Sequence, residues 1–309
     1  MSFSVDVKNE VSRIKVDSKE EILAELGAMF RVNGTILKNN QNLKLKFTTE
    51  INLIARRIFT EIKQIYDYDS VIEVSKNNQL RKKSSYRIYL EGEIAQNFLF
   101  DIGLDDDPFS FMFLDVPEKL VDTKKKKKAY IRGSFLGAGS ISSPEKAYHL
   151  EIITGELNYS KEFVKLLNSY NILASIVERN ENYVIYIKDS EMISDFLSLI
   201  EAFQNLFKFE NIRVVKEIKN NVNRVMNCES ANMDKTIEAS LKQIEDIELI
   251  DENIGLENID INLQEIAEIR RSNPEYSLKQ IGEMLNPSVG KSGINHRFKK
   301  LRAIADKFR

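Results

Sequence analysis

The sequence predicts an α+β fold in which an α-β-β-α-β-β-α unit occurs twice, related by a pseudo-two-fold axis, and is followed by an all-α helix-turn-helix domain. Three observations predict it. The chain repeats itself at an offset of 105 residues, both copies pass through helical and strand periodicities in the same order, and the C-terminal stretch holds helical segments cut by Asn273-Pro274 and Asn286-Pro287. The division expected from these breaks is a first repeat over 1–104, a second over 105–206, a helical acidic linker over 207–260 and the helix-turn-helix domain over 261–309.

In chain order, the start MSFSVDVKNEVSRI sets apolar residues at helical spacing among charges and lacks the continuous apolar core of a secretory signal, so a mature cytoplasmic start is expected. The stretch LAELGAMFRVNGTI (23–36) then falls on KAYIRGSFLGAGSI (128–141), with Ala24 on Ala129, Ala28 on Gly133, Phe30 on Phe135 and Gly34 on Gly139. Ala24 and Ala28 in one copy, and Ala129, Gly133 and Gly137 in the other, lie four apart on one helix face, which predicts two helices packed backbone to backbone where the halves meet. Glycine in a helix costs about 1 kcal/mol relative to alanine, so a close approach is the reason to keep it there.

After each of these helices comes period-two alternation. Leu43, Leu45 and Phe47 alternate with Lys44 and Lys46 in the first copy, and Tyr148, Leu150 and Ile152 with His149 and Glu151 in the second. An amphipathic helix follows (IARRIFTEIKQIYD or SKEFVKLLNSYNI), then two strand patterns (VIEV with SYRIYL, or ASIVE with NYVIYIK), then a closing helix (EIAQNFLFDIGL or MISDFLSLIEAF). Beyond Phe203 the pattern is helical with few breakers, and the amide-rich NNVNRVMNCESAN (220–232) reads as a junction or contact surface. The loop expected after it is DENIGLEN.

In the last segment, Ser277 and Gln280 have the spacing of a capping box, which starts the middle helix. Leu278, Ile281 and Leu285 are expected to face inward, and on the final helix Ile294, Phe298, Leu301 and Ala305 share one face. The other face then carries Ser292, His296, Lys299 and Lys300, with Asn295 and Arg302 on the flank; Ser292, Asn295 and His296 are suited to base edges, and Lys291, Arg297, Lys299, Lys300 and Arg302 to phosphates, with a tight turn holding Gly290 between the two helices. Ser277 joins this DNA-binding set, and Lys44, Lys46 and Lys124, Lys125, Lys126, Lys127 and Lys128, the last five read as a run directly before the second glycine-rich helix, form a secondary set.

Composition narrows the function. Net charge is only −2, but ten acids against two lysines fall between Glu229 and Asp260, and seven bases against Asp306 fall between Lys291 and Arg309, so the end of the chain is its electropositive part. Cys228 is the only cysteine and is expected to be structural; with two distant histidines, His149 and His296, a disulfide framework and a cysteine-rich zinc site are excluded and no metal or other cofactor is expected. No apolar run approaches the ~18 residues of a membrane span.

The paired small-residue helices, each running into Gly-Thr or Gly-Ser and a hairpin, resemble the LAGLIDADG homing-endonuclease fold. In active members of that family the residue before the last glycine is a metal-binding acid; here those positions hold Asn33 and Ala138, so the resemblance implies that the cleavage site is degenerate. Together with a C-terminal helix-turn-helix, the stretches MSFSVDVKNEVSRI, YIRGSFLGAGSISSPEKAYHLEI, NNVNRVMNCESANMDK and PSVGKSGINHRFKKL resemble the WhiA family, with Ala138 standing where a second glycine is common. Membership implies a cytoplasmic, nucleoid-associated, sequence-specific binder of double-stranded DNA connected with cell division and chromosome segregation, and a transcriptional regulator without nuclease activity. Within it, KSGINHR (291–297) resembles the start of the recognition helix. No membrane and no small-molecule substrate is expected. The competing expectations are a residual metal-dependent endonuclease and a docking module for the transcription machinery or another regulator.

Overall fold

Ser18 accepts a hydrogen bond from the backbone N–H of Glu21, and from this cap the first repeat helix, α2 (Lys19–Asn33), runs to a backbone N–H of Gly34 bonded to the Phe30 carbonyl. The computed structural model describes residues 2–39, 42–76, 84–104 and 115–309, and its contacts divide the chain into two units, Met1–Lys216 and Glu217–Arg309. The expected repeat junction at 104/105 borders on residues outside the described ones.

In the first unit a short helix, α1 (Phe3–Val11), precedes the first repeat: α2, β1 (Gly34–Asn39), β2 (Asn42–Thr49), α3 (Asn52–Tyr66), β3 (Val71–Lys76), β4 (Ser84–Glu91) and α4 (Gly92–Ile102). The second repeat follows as α5 (Lys124–Ala138), β5 (Gly139–Ile141), β6 (Leu150–Thr154), α6 (Leu157–Asn168), β7 (Ser175–Arg179), β8 (Asn182–Ile187) and α7 (Ser190–Leu199). Each repeat builds one antiparallel sheet, in the orders β1-β2-β4-β3 and β5-β6-β8-β7. Leu45 pairs with both Ile36 and Leu90, which fixes a register that sends Leu45 and Phe47 inward and Lys44 and Lys46 outward.

Aromatic rings anchor each half. Phe30, Phe47 and Phe98 meet edge to face with centroids 5.1–5.9 Å apart, and Phe135, the counterpart of Phe30, meets Phe196 at 5.6 Å. Burying each such ring contributes about 1.5–3 kcal/mol. Between the halves α2 and α5 pack closely. A Cβ on Gly133 would collide with the Glu25 carbonyl, and one on Gly137 would sit 2.5 Å from the Val32 side chain. The small-residue stripe is therefore the contact between the repeats.

Charge is buried at the same junction. Glu25 of α2 is fully buried and receives Arg57 of α3 and Arg132 of α5; Arg132 Nε donates at 2.6 Å, and Arg57 also pairs with Glu61 at 2.9 Å. Burial alone would raise the Glu25 carboxyl, but Arg132 and Arg57 outweigh it and hold it below its ordinary value. For Glu61, burial and then the charge of Glu25 push the carboxyl well above its ordinary value.

The lysine run does not precede α5 but opens it. Thr123 caps the helix by accepting from the Lys126 N–H, so Lys124–Lys128 form its first turns, and long straight side chains lose little freedom there.

Helix α8 (Phe203–Ile254) runs unbroken from residues of the first unit into those of the second. Residues 217–235 are all exposed, Cys228 among them, so this cysteine is not structural. The amides of 220–232 lie just past the boundary between the two units, within an unbroken helix rather than at a capped break, because an exposed Asn costs a helix interior only about 0.7 kcal/mol or less and the flanking helix carries through. Further on, Ile247 and Ile250 enter one core with α9 (Ile261–Ser272), α10 (Leu278–Met284) and α11 (Lys291–Ala305), and DENIGLEN is the end of α8 followed by a single 3-10 turn, Leu256–Asn258. Part of the stretch expected as linker thus packs with the three helices after it.

Candidate nucleic-acid interface

Three features fix α10 and α11 in place. Ser277 and Gln280 form the capping box: the Gln280 N–H donates to the Ser277 hydroxyl at 3.4 Å, and the Ser277 N–H donates to Gln280 Oε1 at 2.9 Å. Ile281, Leu285, Ile294, Phe298, Leu301 and Ala305 form the shared core. The turn closes where the Val289 N–H donates to the Gly282 carbonyl at 3.0 Å, and a Cβ on Gly282 would collide with the Val289 carbonyl. The glycine that the turn requires is Gly282. Gly290, expected in that role, caps α11 at φ −66° with open space around it.

Sequence reasoning missed Arg270 altogether. It is 1 % exposed, donates to Gln243 Oε1 at 3.0 Å and, from one nitrogen, to the carbonyls of Asn273 (3.3 Å), Pro274 (3.2 Å) and Tyr276 (2.6 Å). Its guanidinium also lies 5.5 Å from the Phe298 ring centroid. One side chain thus ties α8, the α9–α10 connection and α11 together. The only hint in the sequence is a basic pair, Arg270-Arg271, ahead of Asn-Pro, and such pairs are usually solvated.

With the apolar face of α11 consumed, Lys291, Ser292, Asn295, His296, Lys299, Lys300 and Arg302 are exposed. Ser292, Asn295 or His296, and Lys299 follow one another at helical spacing along one face. Among the described residues Lys291, Lys299 and Lys300 make no ion pair, while Arg302 lies 4.0 Å from Asp306. Asp260, held below its ordinary value mainly by the Asn262 side chain, is also drawn down by Lys300. Two members of the expected set are engaged otherwise: Arg297 is half-buried and donates to the Asn262 carbonyl at 3.4 Å, and the Ser277 hydroxyl is used by its cap.

The secondary cations lie on other elements, in the first unit. Lys44 sits 2.6 Å from Glu91 and 4.0 Å from the Tyr89 ring centroid, so its charge is compensated on the sheet, and Lys46 is half-buried beside it. Lys126 donates to the Lys119 carbonyl and to Asp122, both at 2.9 Å, and Lys125 lies 3.9 Å from Glu21. Asn33 and Ala138 end α2 and α5, and the Asn33 amide donates to the carbonyls of Thr48 (3.1 Å) and Gly137 (3.4 Å), stitching one helix end to the other. A neutral amide and a methyl group occupy the two positions. Among the described residues no three His, Cys, Asp or Glu side chains are grouped to hold a metal, and no helix is long and apolar enough to cross a membrane.

Family comparison matches this arrangement segment by segment. Residues 19–105 match the WhiA N-terminal LAGLIDADG-like domain, 127–219 the WhiA LAGLIDADG-like domain and 222–305 the WhiA C-terminal HTH domain. The chain belongs to the WhiA family. A WhiA of Clostridium perfringens, named "Probable cell division protein WhiA", is 45% identical over 312 residues, covering 100% of this chain and 99% of its own; the WhiA of Clostridium botulinum is 42% identical over the same span. The crystal structure of full-length WhiA from Thermatoga maritima aligns with 28% identity and a TM-score of 0.59 over 100% of this chain and 99% of that one. The N-terminal LAGLIDADG domain of a WhiA, solved alone, aligns over 64% of this chain and 90% of its own at 25% identity and a TM-score of 0.51. The WhiA HTH match begins at residue 222, within α8, in keeping with the core that α8 shares with the last three helices.

Proposed function

We propose that this WhiA protein is a sequence-specific binder of double-stranded DNA that inserts α11 into the major groove, acts as a transcriptional regulator in cell division and chromosome segregation, and cleaves nothing. The observation that carries the reading is the division of labour on α11. Ile294, Phe298, Leu301 and Ala305 are spent on the core, and the opposite face presents hydrogen-bonding side chains flanked by Lys291, Lys299 and Lys300, which make no ion pair among the described residues. Asn295 and His296, with Ser292, read base edges; Lys291, Lys299, Lys300 and Arg302 meet phosphates. Lys46, Lys124, Lys125, Lys127 and Lys128 remain as secondary phosphate contacts, Lys125 only loosely held by Glu21, whereas the partners of Lys44 and Lys126 argue against them. The HTH family match and the cell-division name of the relatives support the same reading. It locates the protein in the cytoplasm, on the nucleoid.

The chemistry of two positions supports the reading without cleavage. Two-metal phosphodiester hydrolysis needs anionic oxygen ligands, and Asn33 and Ala138 supply none. The LAGLIDADG-like repeats then serve as a docking platform for the transcription machinery or another regulator. On the second sheet Ile153 is 42 % and Val177 47 % exposed, an apolar outer surface better suited to protein than to phosphate.

Selection from a randomised duplex pool tests the leading reading. The intact chain should enrich one motif, and Asn295→Ala should lose preference at a position within it while keeping nonspecific binding. The reading fails if no motif emerges, or if the variant enriches the same one.

A further inference from the structure

The connection between α1 and α2 arches over α3 and leaves a cleft of about 370 Å³ beneath it. Arg57 makes the floor: Glu25 and Glu61 hold its guanidinium from inside, and one of its nitrogens donates to the carbonyls of Ser12 (3.3 Å) and Ile14, pinning the arch. The walls bring cations together from two elements, Arg13 and Lys15 from the arch and Arg56 from α3. All three are exposed, and among the described residues none of them makes an ion pair. Thr60, four residues after Arg56, adds a hydroxyl on the same helix face.

A second observation is independent of the charge count. Glu61, on the floor, is 5 % exposed, and its Oε2 has no hydrogen-bond partner although Oε1 is held by Arg57. A buried polar atom without a partner is costly, about 1–3 kcal/mol, and calls for an explanation; Glu61 belongs to the lining of a cleft of ligand size.

We propose that this cleft binds a small phosphorylated molecule, its phosphate held by Arg13, Lys15 and Arg56 and its inner end met by Glu61. Glu61 Oε2 lacks a donor, which a hydroxyl or amine at the inner end of the molecule supplies, while the phosphate stays with the three cations. Among the described residues Asp17 is the only other acid lining the cleft, and it is exposed at the rim. The site stands apart from α11 in sequence and chemistry, and the proposal does not depend on the DNA-binding reading.

The test is calorimetric titration of the full chain, in phosphate-free and sulfate-free buffer, with inorganic phosphate, pyrophosphate and each of the four ribonucleoside monophosphates. The expected result is saturable 1:1 binding of at least one probe, weakened tenfold or more in Arg13→Ala/Arg56→Ala and unchanged in Lys299→Ala/Lys300→Ala. Both pairs are exposed, so the variants should fold. A nucleoside monophosphate binding more tightly than inorganic phosphate would assign the cleft to the whole nucleotide; equal affinities would assign it to the phosphate group alone. Either supports the proposal. Failure of every probe to saturate, loss only in the Lys299/Lys300 variant, or loss of duplex DNA but not of any small probe in the Arg13/Arg56 variant would overturn it.

Discussion

Gly133 of α5 rests directly on the backbone carbonyl of Glu25 in α2, leaving no room for a side chain where the two repeats meet. The contact also positions the buried charges, since Glu25 receives Arg132 from the very helix that carries Gly133. A small residue and an ion pair are thus two parts of one joint. Opening it by a methyl group strains both.

Gly133→Ala should therefore destabilise the protein by about 2 kcal/mol, the usual scale for overpacking a rigid contact. Thermal unfolding followed by circular dichroism checks this against Gly155→Ala, where the added methyl meets nothing within 4 Å. Equal midpoints for the two variants would refute the close-packing account.

The helix-turn-helix offers the same contrast. Gly282→Ala forces the Val289 carbonyl away and should destabilise the second unit and weaken DNA binding, whereas Gly290→Ala enters open space and should leave both nearly unchanged. Hydrogen exchange at the amides of α10 and α11 separates the two. Faster exchange in the Gly290 variant but not in the Gly282 variant would reverse the assignment.

Lys8 gives a pH signature. Its ammonium is buried over the Phe135 ring and donates to the Leu136 carbonyl at 3.1 Å, and burial pulls its pKa from the ordinary 10.5 down to about 8. Between those two values the unfolded chain holds the proton and the folded one does not, so this contribution to stability rises with pH from about 8 to 10.5, by an amount on the order of 3 kcal/mol in full. Below pH 8 the folded state bears the full cost of a buried cation. Lys8→Met should be more stable at pH 7 and lose the rise, as urea unfolding at pH 7, 8, 9 and 10 would reveal. Parallel pH profiles for wild type and variant would contradict it.

How much of this was legible before the structure depended on whether the signal was local. The Ser277–Gln280 cap, the inward face of Ile294, Phe298, Leu301 and Ala305, and the strand of Leu45 and Phe47 are read from spacing because periodicity and capping act within a few residues. The repeat made the α2–α5 contact legible too, since two small-residue stripes at equal positions invite pairing. Gly282 and Arg270 were not legible: what requires them is a carbonyl or a ring brought in by the tertiary fold. The cleft over Arg57 was hidden for the same reason, its cations being scattered along the chain as Arg13, Lys15 and Arg56. Lys124–Lys128 misled in the other direction, because one capping threonine turns a charge run into a helix start.

The most direct test of the central claim is a salt titration of binding to pooled duplex fragments, comparing the intact chain with Lys299→Ala/Lys300→Ala. If α11 carries the DNA contact, the variant binds more weakly at every salt concentration, and the slope of log K against log salt flattens by about one unit for each phosphate contact removed. If the two proteins bind alike with the same slope, α11 is not the contact, and the DNA surface must lie elsewhere on the molecule.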